Sequence, residues 1–197
     1  MVNLAINGIG RIGKLVLKLL ISKNFNVKYL NELNGNTNSL IHSIEFDSIH
    51  GKWQANIEEG KDEIKIDGKS IKATFVENIN DLSLDDVDIM IDCTGVNKSS
   101  SKLQKYFDKG IKKVIVSAPI NEDNIVNIAY GVNHNIYKPK EHNIITGASC
   151  TTNCIAPIIK VLHENIGINH GSITTIHNLT NSQTLVDIPH NDLRRGR

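Results

Sequence analysis

Three glycines, Gly8, Gly10 and Gly13, stand at the junction of two different apolar patterns near the start of the chain. Residues 2–6 form a short apolar run, whereas apolar residues between 12 and 20 recur at spacings of three and four. This order predicts a strand, a tight turn and a helix. In a dinucleotide-binding loop the first glycine allows the turn, the second admits a pyrophosphate and the third lets helix and strand pack closely. The spacing alone is a weak signal, and a purely structural glycine turn is the alternative.

Further strand and helix patterns alternate along the following hundred residues. Strands are predicted at 26–30, 88–92, 113–117 and 125–130, helices at 39–46 and 100–109, and antiparallel strands at 53–76 around the turn signals Glu59-Gly60 and Asp67-Gly68. Alternation of this kind predicts an α/β fold with a doubly wound, mostly parallel sheet.

A second region begins near Ser149. A helix is predicted at 150–164 with Pro157 kinking its interior, followed by a strand at 172–179. Residues 181–197 show no strong period and end in a basic cluster. We therefore expect a dinucleotide-binding domain at 1–149 and the first part of a second domain at 150–197, in a chain that is cut short.

Glu32 stands where a dinucleotide fold places the acid that binds the adenosine ribose. It follows Gly13 by 19 residues and comes directly after the second predicted strand. Its charge would repel the 2′-phosphate of NADP, so the residue predicts NAD as the cofactor. The alternative is an ordinary solvated loop carboxylate.

Cys150 is the candidate nucleophile among three cysteines. It lies in ASCTTNC (148–154), in the first turn of a predicted helix, where the helix dipole and unpaired N–H groups stabilise a thiolate. Cys154 lies one turn further on the same face, but the chain has no second ligand pair at matching spacing, so no metal site is predicted. Cys93 ends an apolar strand and is interpreted as a packing residue. Taken alone, Cys150 could equally be a buried structural cysteine.

His177 is the candidate base among eight histidines. It interrupts the predicted strand at 172–179, downstream of Cys150, and an imidazole in an apolar strand is costly without a partner. A hydrogen-bonded core histidine is the more common case, and the residues alone do not pair His177 with Cys150.

Charge and cysteine content exclude several other classes. Lys and Arg number 22 and Asp and Glu 21, which gives a net charge of +1 and no electrostatic footprint for nucleic acid or an anionic membrane. No apolar run approaches the roughly 20 residues of a membrane span. Three cysteines do not form a secreted disulfide framework, so a cytoplasmic location is expected.

Five segments in order resemble the phosphorylating glyceraldehyde-3-phosphate dehydrogenases. They are INGIGRIG (6–13), FDSIHG (46–51), SAP (117–119), GVNH (131–134) and ASCTTNC (148–154), and the last is highly specific. The resemblance implies a Rossmann-type cofactor domain followed by the start of an α+β catalytic domain. It also implies an NAD-dependent oxidoreductase of glycolysis that works as a homotetramer and acts on glyceraldehyde 3-phosphate and inorganic phosphate.

The resemblance also implies a role for each site residue. Pyrophosphate binding falls to Gly8, Gly10, Arg11 and Ile12 together with Gly13, the adenosine ribose to Glu32, and the rest of the cofactor groove to Thr94, Gly95 and Ser117. Cys150 matches the nucleophile and His177 the base. Ser149, Thr151 and Thr180 match contacts to substrate phosphate or inorganic phosphate.

The chain departs from the family pattern at several points. Glu32 stands where the family usually has Asp, Gly147 where it usually has Asn, and Ser182 where bacterial members often have Asp. The chain stops in or just past the loop that resembles the family's S-loop, so most of the catalytic-domain sheet is expected to be missing. At most feeble activity is expected from these 197 residues.

Three other functions are kept as alternatives. Erythrose-4-phosphate dehydrogenase shares the cysteine motif, although Thr180 favours the triose enzyme. A non-catalytic NAD-binding module would bind the cofactor without turnover. A redox-responsive thiol protein built on Cys150 would be oxidised rapidly by peroxide.

Overall fold

A computed structural model describes residues 1–180 of the chain. The chain divides into two compact units, Met1–Lys160 and Val161–Arg197. The last helix runs through the end of the first unit, and residues 167–180 of the second unit form neither helix nor strand. The division into domains at 149/150 stays a prediction.

The first unit carries the strands and nearly all of the helical residues of the described chain. The strands are β1 (Asn3–Asn7), β2 (Asn26–Asn31), β3 (Phe46–Asp47), β4 (Gly51–Lys52), β5 (Ile57–Gly60), β6 (Glu63–Ile66), β7 (Lys69–Thr74), β8 (Ile89–Asp92), β9 (Lys113–Val116), β10 (Val126–Asn127) and β11 (Ile144–Thr146). The α-helices are α1 (Arg11–Ser22), α2 (Thr37–Glu45), α3 (Ser100–Phe107) and α4 (Cys150–Asn165). Within residues 1–180, no helix has the length and apolarity needed to cross a bilayer.

Nine of these strands form one sheet in the order β10-β11-β9-β8-β1-β2-β7-β6-β5. Every pair from β10 to β7 is parallel, whereas β7, β6 and β5 pair antiparallel. The predicted fold class, a Rossmann-type doubly wound sheet, is confirmed. The antiparallel strands predicted within 53–76 are observed as β5, β6 and β7, and they complete the sheet on the side of β2 away from β1.

Helices cover the two faces of the sheet and bury two apolar clusters. Successive strand residues point to opposite faces, so Ala5 packs with Leu103 and Tyr106 of α3 on one side. Its neighbour Ile6 packs with Leu17 of α1 on the other side. Each fully buried aliphatic side chain of this kind contributes about 1.5–3 kcal/mol to the free energy of unfolding. Because the strands from β10 to β7 run parallel, their carboxyl ends lie together at one end of the sheet.

Two sequence predictions differ from the structure. The predicted strand at 125–130 is only Val126–Asn127, because the Asn127 side chain bonds both the N–H and the C=O of Ile120 and the backbone turns at Ala129. The predicted strand at 172–179 is wrong. A strand needs a neighbouring strand, and none pairs with these residues in the described part of the chain, where Ile173 and Ile176 are exposed.

The pair β3–β4 was not predicted. It is a two-stranded antiparallel ribbon formed by the FDSIHG segment. Asp47 accepts the N–H groups of Ile49 and His50 and forms an ion pair with Lys14 at 2.6 Å. These bonds hold the pKa of Asp47 well below its usual range, with the contact to Lys14 as the largest cause. One aspartate therefore ties this ribbon to helix α1.

Candidate functional site

The three glycines of the first loop have three different steric roles. Gly8 has a φ of +87°, and a β-carbon there would lie 2.8 Å from the backbone nitrogen of Thr94. A β-carbon on Gly13 would lie 1.9 Å from the carbonyl oxygen of Gly8, so the first turn of α1 rests directly on the loop. Gly10 faces open space, with nothing within 4 Å of its β-carbon position. The loop is packed at its first and third glycines and open at its second.

The amino terminus of α1 presents backbone donors beside that open glycine. Gly10 is the N-cap, no side chain caps the helix, and no acidic residue lies in the first turn. Arg11 and Ile12 follow as exposed residues of the first turn. The first N–H groups of a helix have no intrahelical acceptor, and the helix dipole favours an anion there. A pyrophosphate could fill this cradle, in which a side chain at position 10 would intrude.

Glu32 is brought directly to the glycine loop. Its backbone N–H donates to the carbonyl of Thr74 at 3.0 Å, which extends the pairing of β2 with β7 by one residue. Its Oε2 accepts the N–H of Ile9 at 2.7 Å. A carboxylate has about four acceptor positions. The half-buried Glu32 therefore keeps acceptor capacity for hydroxyl groups at the same edge.

Thr94 and Gly95 form the turn that follows β8. The N–H and hydroxyl of Thr94 donate to Oδ1 of Asp92 at 3.0 and 2.6 Å. Gly95 has a φ of +74° and open space at its β-carbon position. The turn packs against Gly8. Two of the segments that the sequence predicts to bind the cofactor, the glycine loop and the Thr94 turn, therefore touch each other.

Ser117 follows β9, the next strand along the edge. Its N–H donates to the carbonyl of Asp92 at 2.9 Å, and its side chain hydrogen-bonds Cys93. Burial raises the pKa of the Cys93 thiol to about 11, and the charge of Asp92 adds to the increase. Cys93 packs against the core, as interpreted from the sequence.

A buried polar chain beneath these loops was missed by sequence reasoning. Asn7, Asn31 and Asp92 end three neighbouring strands and are at most 6% exposed. Tyr106 on α3 links Asp92 to Asn7 through its hydroxyl. The only signal in the sequence is a polar residue at the end of each apolar run, and nothing there points to Tyr106.

Cys150 begins helix α4 after a tight turn from β11. The N–H of Gly147 donates to the carbonyl of Val116 at 2.9 Å, and Ala148 adopts a left-handed φ of +56°. The Ala148 N–H donates to the hydroxyl of Thr146 at 3.0 Å. These contacts fix the course of the chain into the helix, where Cys150 is exposed.

Ser149 and Thr151 flank Cys150 at the start of α4. The hydroxyl of Ser149 accepts the N–H of Thr152 at 3.0 Å, as an N-cap side chain does, and lies 3.1 Å from the hydroxyl of Thr151. The side-chain amide of Asn153 donates to the carbonyls of Gly147 and Ser149 at 2.6 and 2.9 Å, and these bonds hold the turn that leads into the helix. The cysteine thus stands among hydroxyl groups at the end of the same sheet.

Comparison with known proteins covers both of these regions. Residues 2–100 match the family described as glyceraldehyde 3-phosphate dehydrogenase, NAD binding domain. Residues 149–197 match glyceraldehyde 3-phosphate dehydrogenase, C-terminal domain. The chain belongs to the glyceraldehyde-3-phosphate dehydrogenase family. The predicted family and the prediction of NAD as cofactor are therefore confirmed.

Curated relatives of this dehydrogenase family match along the whole chain. Glyceraldehyde-3-phosphate dehydrogenase 3 of Nostoc sp. is 43% identical, and the match covers 100% of this chain and 59% of that relative. The glyceraldehyde-3-phosphate dehydrogenases of Thermotoga maritima and Geobacillus stearothermophilus are 42% and 40% identical, with 60% and 59% of their lengths covered. The chain thus spans about three fifths of the length of these relatives.

The remaining predicted residues of the dehydrogenase site lie in the second unit or beyond the described chain. His177 is exposed, and its Nδ1 lies 2.6 Å from the carbonyl oxygen of Asn178. Thr180 is half-buried. Ser182 and the basic cluster at 194–197 lie outside the described residues. In residues 1–180, no group of three or more His, Cys, Asp or Glu side chains is placed to hold a metal ion.

Proposed function

We propose that this protein carries out the NAD-dependent oxidative phosphorylation of glyceraldehyde 3-phosphate to 1,3-bisphosphoglycerate. The supporting observation is the continuity of one sheet edge. Glu32, the glycine loop, Thr94 and Ser117 follow strands β2, β1, β8 and β9, and the turn to Cys150 follows β11, which pairs with β9. Cofactor segments and candidate nucleophile therefore lie along consecutive strand ends of one unit.

The cofactor half of the proposal assigns a part of NAD to each segment. The loop of Gly8, Gly10 and Gly13, with Arg11 and Ile12, takes the pyrophosphate, because the space at Gly10 and the uncapped helix suit an anion. Glu32 takes the adenosine ribose. Thr94, Gly95 and Ser117 line the groove beyond the loop. Bound NAD supplies the hydride acceptor that an aldehyde oxidation requires.

The chemical half of the proposal assigns covalent catalysis to Cys150. Its thiolate attacks the aldehyde carbon and forms a thiohemiacetal, and His177 takes the proton of the hydroxyl group as the carbon is oxidised to a thioester. Inorganic phosphate then attacks the thioester carbon. This attack releases the acyl phosphate and returns the thiolate of Cys150. Ser149, Thr151 and Thr180 are proposed to bind the phosphate groups.

Assembly and location follow the same family reasoning. A homotetramer is proposed for the full-length form. A cytoplasmic location is proposed because three cysteines are too few for a secreted disulfide framework, and thiol catalysis suits a reducing compartment.

Turnover by residues 1–197 alone is proposed to be feeble. Residues 167–180 form no helix or strand, and the side chains at 171–179 around His177 are exposed. Catalysis by an exposed base depends on how accurately it is oriented, and a displacement on the order of 1 Å can cost about a hundredfold in rate.

The test is NADH formation from NAD, glyceraldehyde 3-phosphate and inorganic phosphate by the wild-type chain, Cys150→Ser and Cys154→Ser. Slow turnover that Cys150→Ser abolishes supports the proposal, and Cys154→Ser is the matched control because it removes an exposed thiol one helical turn away. Faster turnover with erythrose 4-phosphate would favour the alternative enzyme. Saturable NAD binding without any turnover would favour the non-catalytic binding module.

A further inference from the structure

A chain of hydrogen bonds crosses the sheet directly beneath the proposed cofactor groove. Oδ2 of Asp92 accepts the hydroxyl of Tyr106 at 2.8 Å, and that hydroxyl accepts Nδ2 of Asn7 at 2.6 Å. Oδ1 of Asn7 accepts Nδ2 of Asn31 at 2.8 Å, and Oδ1 of Asn31 accepts the hydroxyl of Thr74 at 2.9 Å. The chain joins the ends of strands β8, β1, β2 and β7 through the tyrosine of α3.

The side-chain carboxylate of Asp92 accepts four hydrogen bonds. Oδ1 accepts two donors from Thr94, and Oδ2 accepts Tyr106 and, at 2.7 Å, Nδ2 of Asn97. Four donors match the roughly four acceptor positions of a carboxylate. Asp92 and Tyr106 are both fully buried, and burial raises the pKa of Tyr106, so its hydroxyl keeps the proton that it donates. The direction of each bond is therefore fixed.

The members of this chain are adjacent in sequence to the proposed cofactor contacts. Asn7 directly precedes Gly8, Asn31 directly precedes Glu32, and Asp92 holds Thr94 by both its backbone and its hydroxyl. Loss of one of these hydrogen bonds is therefore expected to disturb the adjacent loop at the sheet end as well as the buried core. The net contribution of a buried hydrogen bond to stability is small, whereas its control of geometry is strong.

The sheet order assigns the Thr94 turn to one half of the dinucleotide. Glu32, the proposed contact of the adenosine ribose, lies at the end of β2 on one side of the glycine loop of β1. Thr94 and Gly95 lie at the end of β8 on the other side. A dinucleotide whose pyrophosphate lies at the loop therefore extends its nicotinamide half over β8 and β9.

We propose that Asp92 and Tyr106, joined to Asn7, are positioning residues that hold the Thr94–Gly95 turn in place for the nicotinamide half of NAD. The proposal rests on the cofactor placement proposed above. It assigns these residues no contact with the cofactor. Their effect reaches it through Thr94.

The test compares Tyr106→Phe with Tyr29→Phe, a matched control that removes a hydroxyl outside this chain of bonds. Dissociation constants are measured for NAD and for AMP, which is the adenosine half alone. Tyr106→Phe is expected to weaken NAD binding about tenfold, the effect of one lost hydrogen bond to a charged group, and to change AMP binding less than about twofold. Tyr29→Phe is expected to change neither. Parallel weakening of both ligands, or no weakening of NAD, would overturn the proposal.

A cofactor-free measurement keeps the two proposals separate. Amide hydrogen exchange of Thr94 is expected to speed up in Tyr106→Phe and in Asn97→Ala, which removes a donor from Oδ2 of Asp92 at a half-buried site and spares the core. Exchange at the Asp67 amide, which donates to the carbonyl of Asn56 at 2.8 Å and lies outside this chain of bonds, serves as the internal reference. Unchanged Thr94 exchange in both variants would refute the positioning role. A wild-type chain that binds no NAD would instead refute the proposed function.

Discussion

The backbone N–H of Ile9 donates a 2.7 Å hydrogen bond to Oε2 of Glu32. This bond joins the glycine loop after β1 to the acid after β2, two features that lie 23 residues apart in the sequence. The carboxylate is therefore held beside the loop before any ligand arrives. Its charge faces the region where the adenosine ribose is proposed to bind.

The first prediction concerns the choice between NAD and NADP. The wild-type chain is expected to bind NAD at least about tenfold more tightly than NADP, because the Glu32 carboxylate repels a 2′-phosphate. Glu32→Gln keeps the size of the side chain and is expected to narrow this preference, and Glu32→Ala is expected to do the same. Calorimetric titration of both cofactors checks it. Equal affinities in the wild-type chain would count against the assignment of Glu32.

The second prediction concerns the packing of Gly13. Gly13→Ala is expected to lower the free energy of unfolding by about 1–3 kcal/mol, since the added methyl group meets the carbonyl oxygen of Gly8. Gly10→Ala is the matched control, because its β-carbon has open space and its φ of −71° suits alanine. Urea denaturation measures both. A Gly13→Ala chain as stable as Gly10→Ala would show that α1 can move off the loop without cost.

The third prediction concerns the order of thiol reactivity. At pH 8, limiting iodoacetamide is expected to label Cys150 first, because it is exposed at the start of α4. Cys93 is expected to react last, because its pKa of about 11 leaves only about one thiol in a thousand ionised at this pH. Peptide mapping identifies the labelled sites. Preferential labelling of Cys93 or Cys154 would contradict the assignment of Cys150.

The fourth prediction concerns acid stability. The folded-state pKa of Asp47 is lowered, chiefly by Lys14, so its contribution to stability is complete above its unfolded pKa near 4. That contribution is lost as the pH falls from about 5 toward the lower folded-state pKa. Asp47→Asn is therefore expected to flatten the acid side of a plot of unfolding free energy against pH. Asp123→Asn, a change at an exposed aspartate, is the control, and an identical slope in wild type and Asp47→Asn would disprove the effect.

The sequence correctly predicts those elements that depend on residues close together in the chain. The turn at Gly8 and the close contact at Gly13 depend on residues within one β-α unit, and the alternation of strands and helices follows from apolar periodicity alone. The buried link from Asn7 to Tyr106 spans 99 residues, and no local pattern carries it. The predicted strand at 172–179 is wrong for a related reason, because alternation indicates an extended segment but not the partner that a strand requires.

The most direct test of the central claim is an NAD titration of the wild-type chain and Gly10→Ala. The claim is that the open space at Gly10, beside the uncapped start of α1, receives the pyrophosphate of NAD. We expect saturable NAD binding by the wild-type chain and at least about tenfold weaker binding by Gly10→Ala, with the free energy of unfolding changed by about 1 kcal/mol or less. Equal NAD affinity in the two chains, or no binding by the wild-type chain, would contradict it.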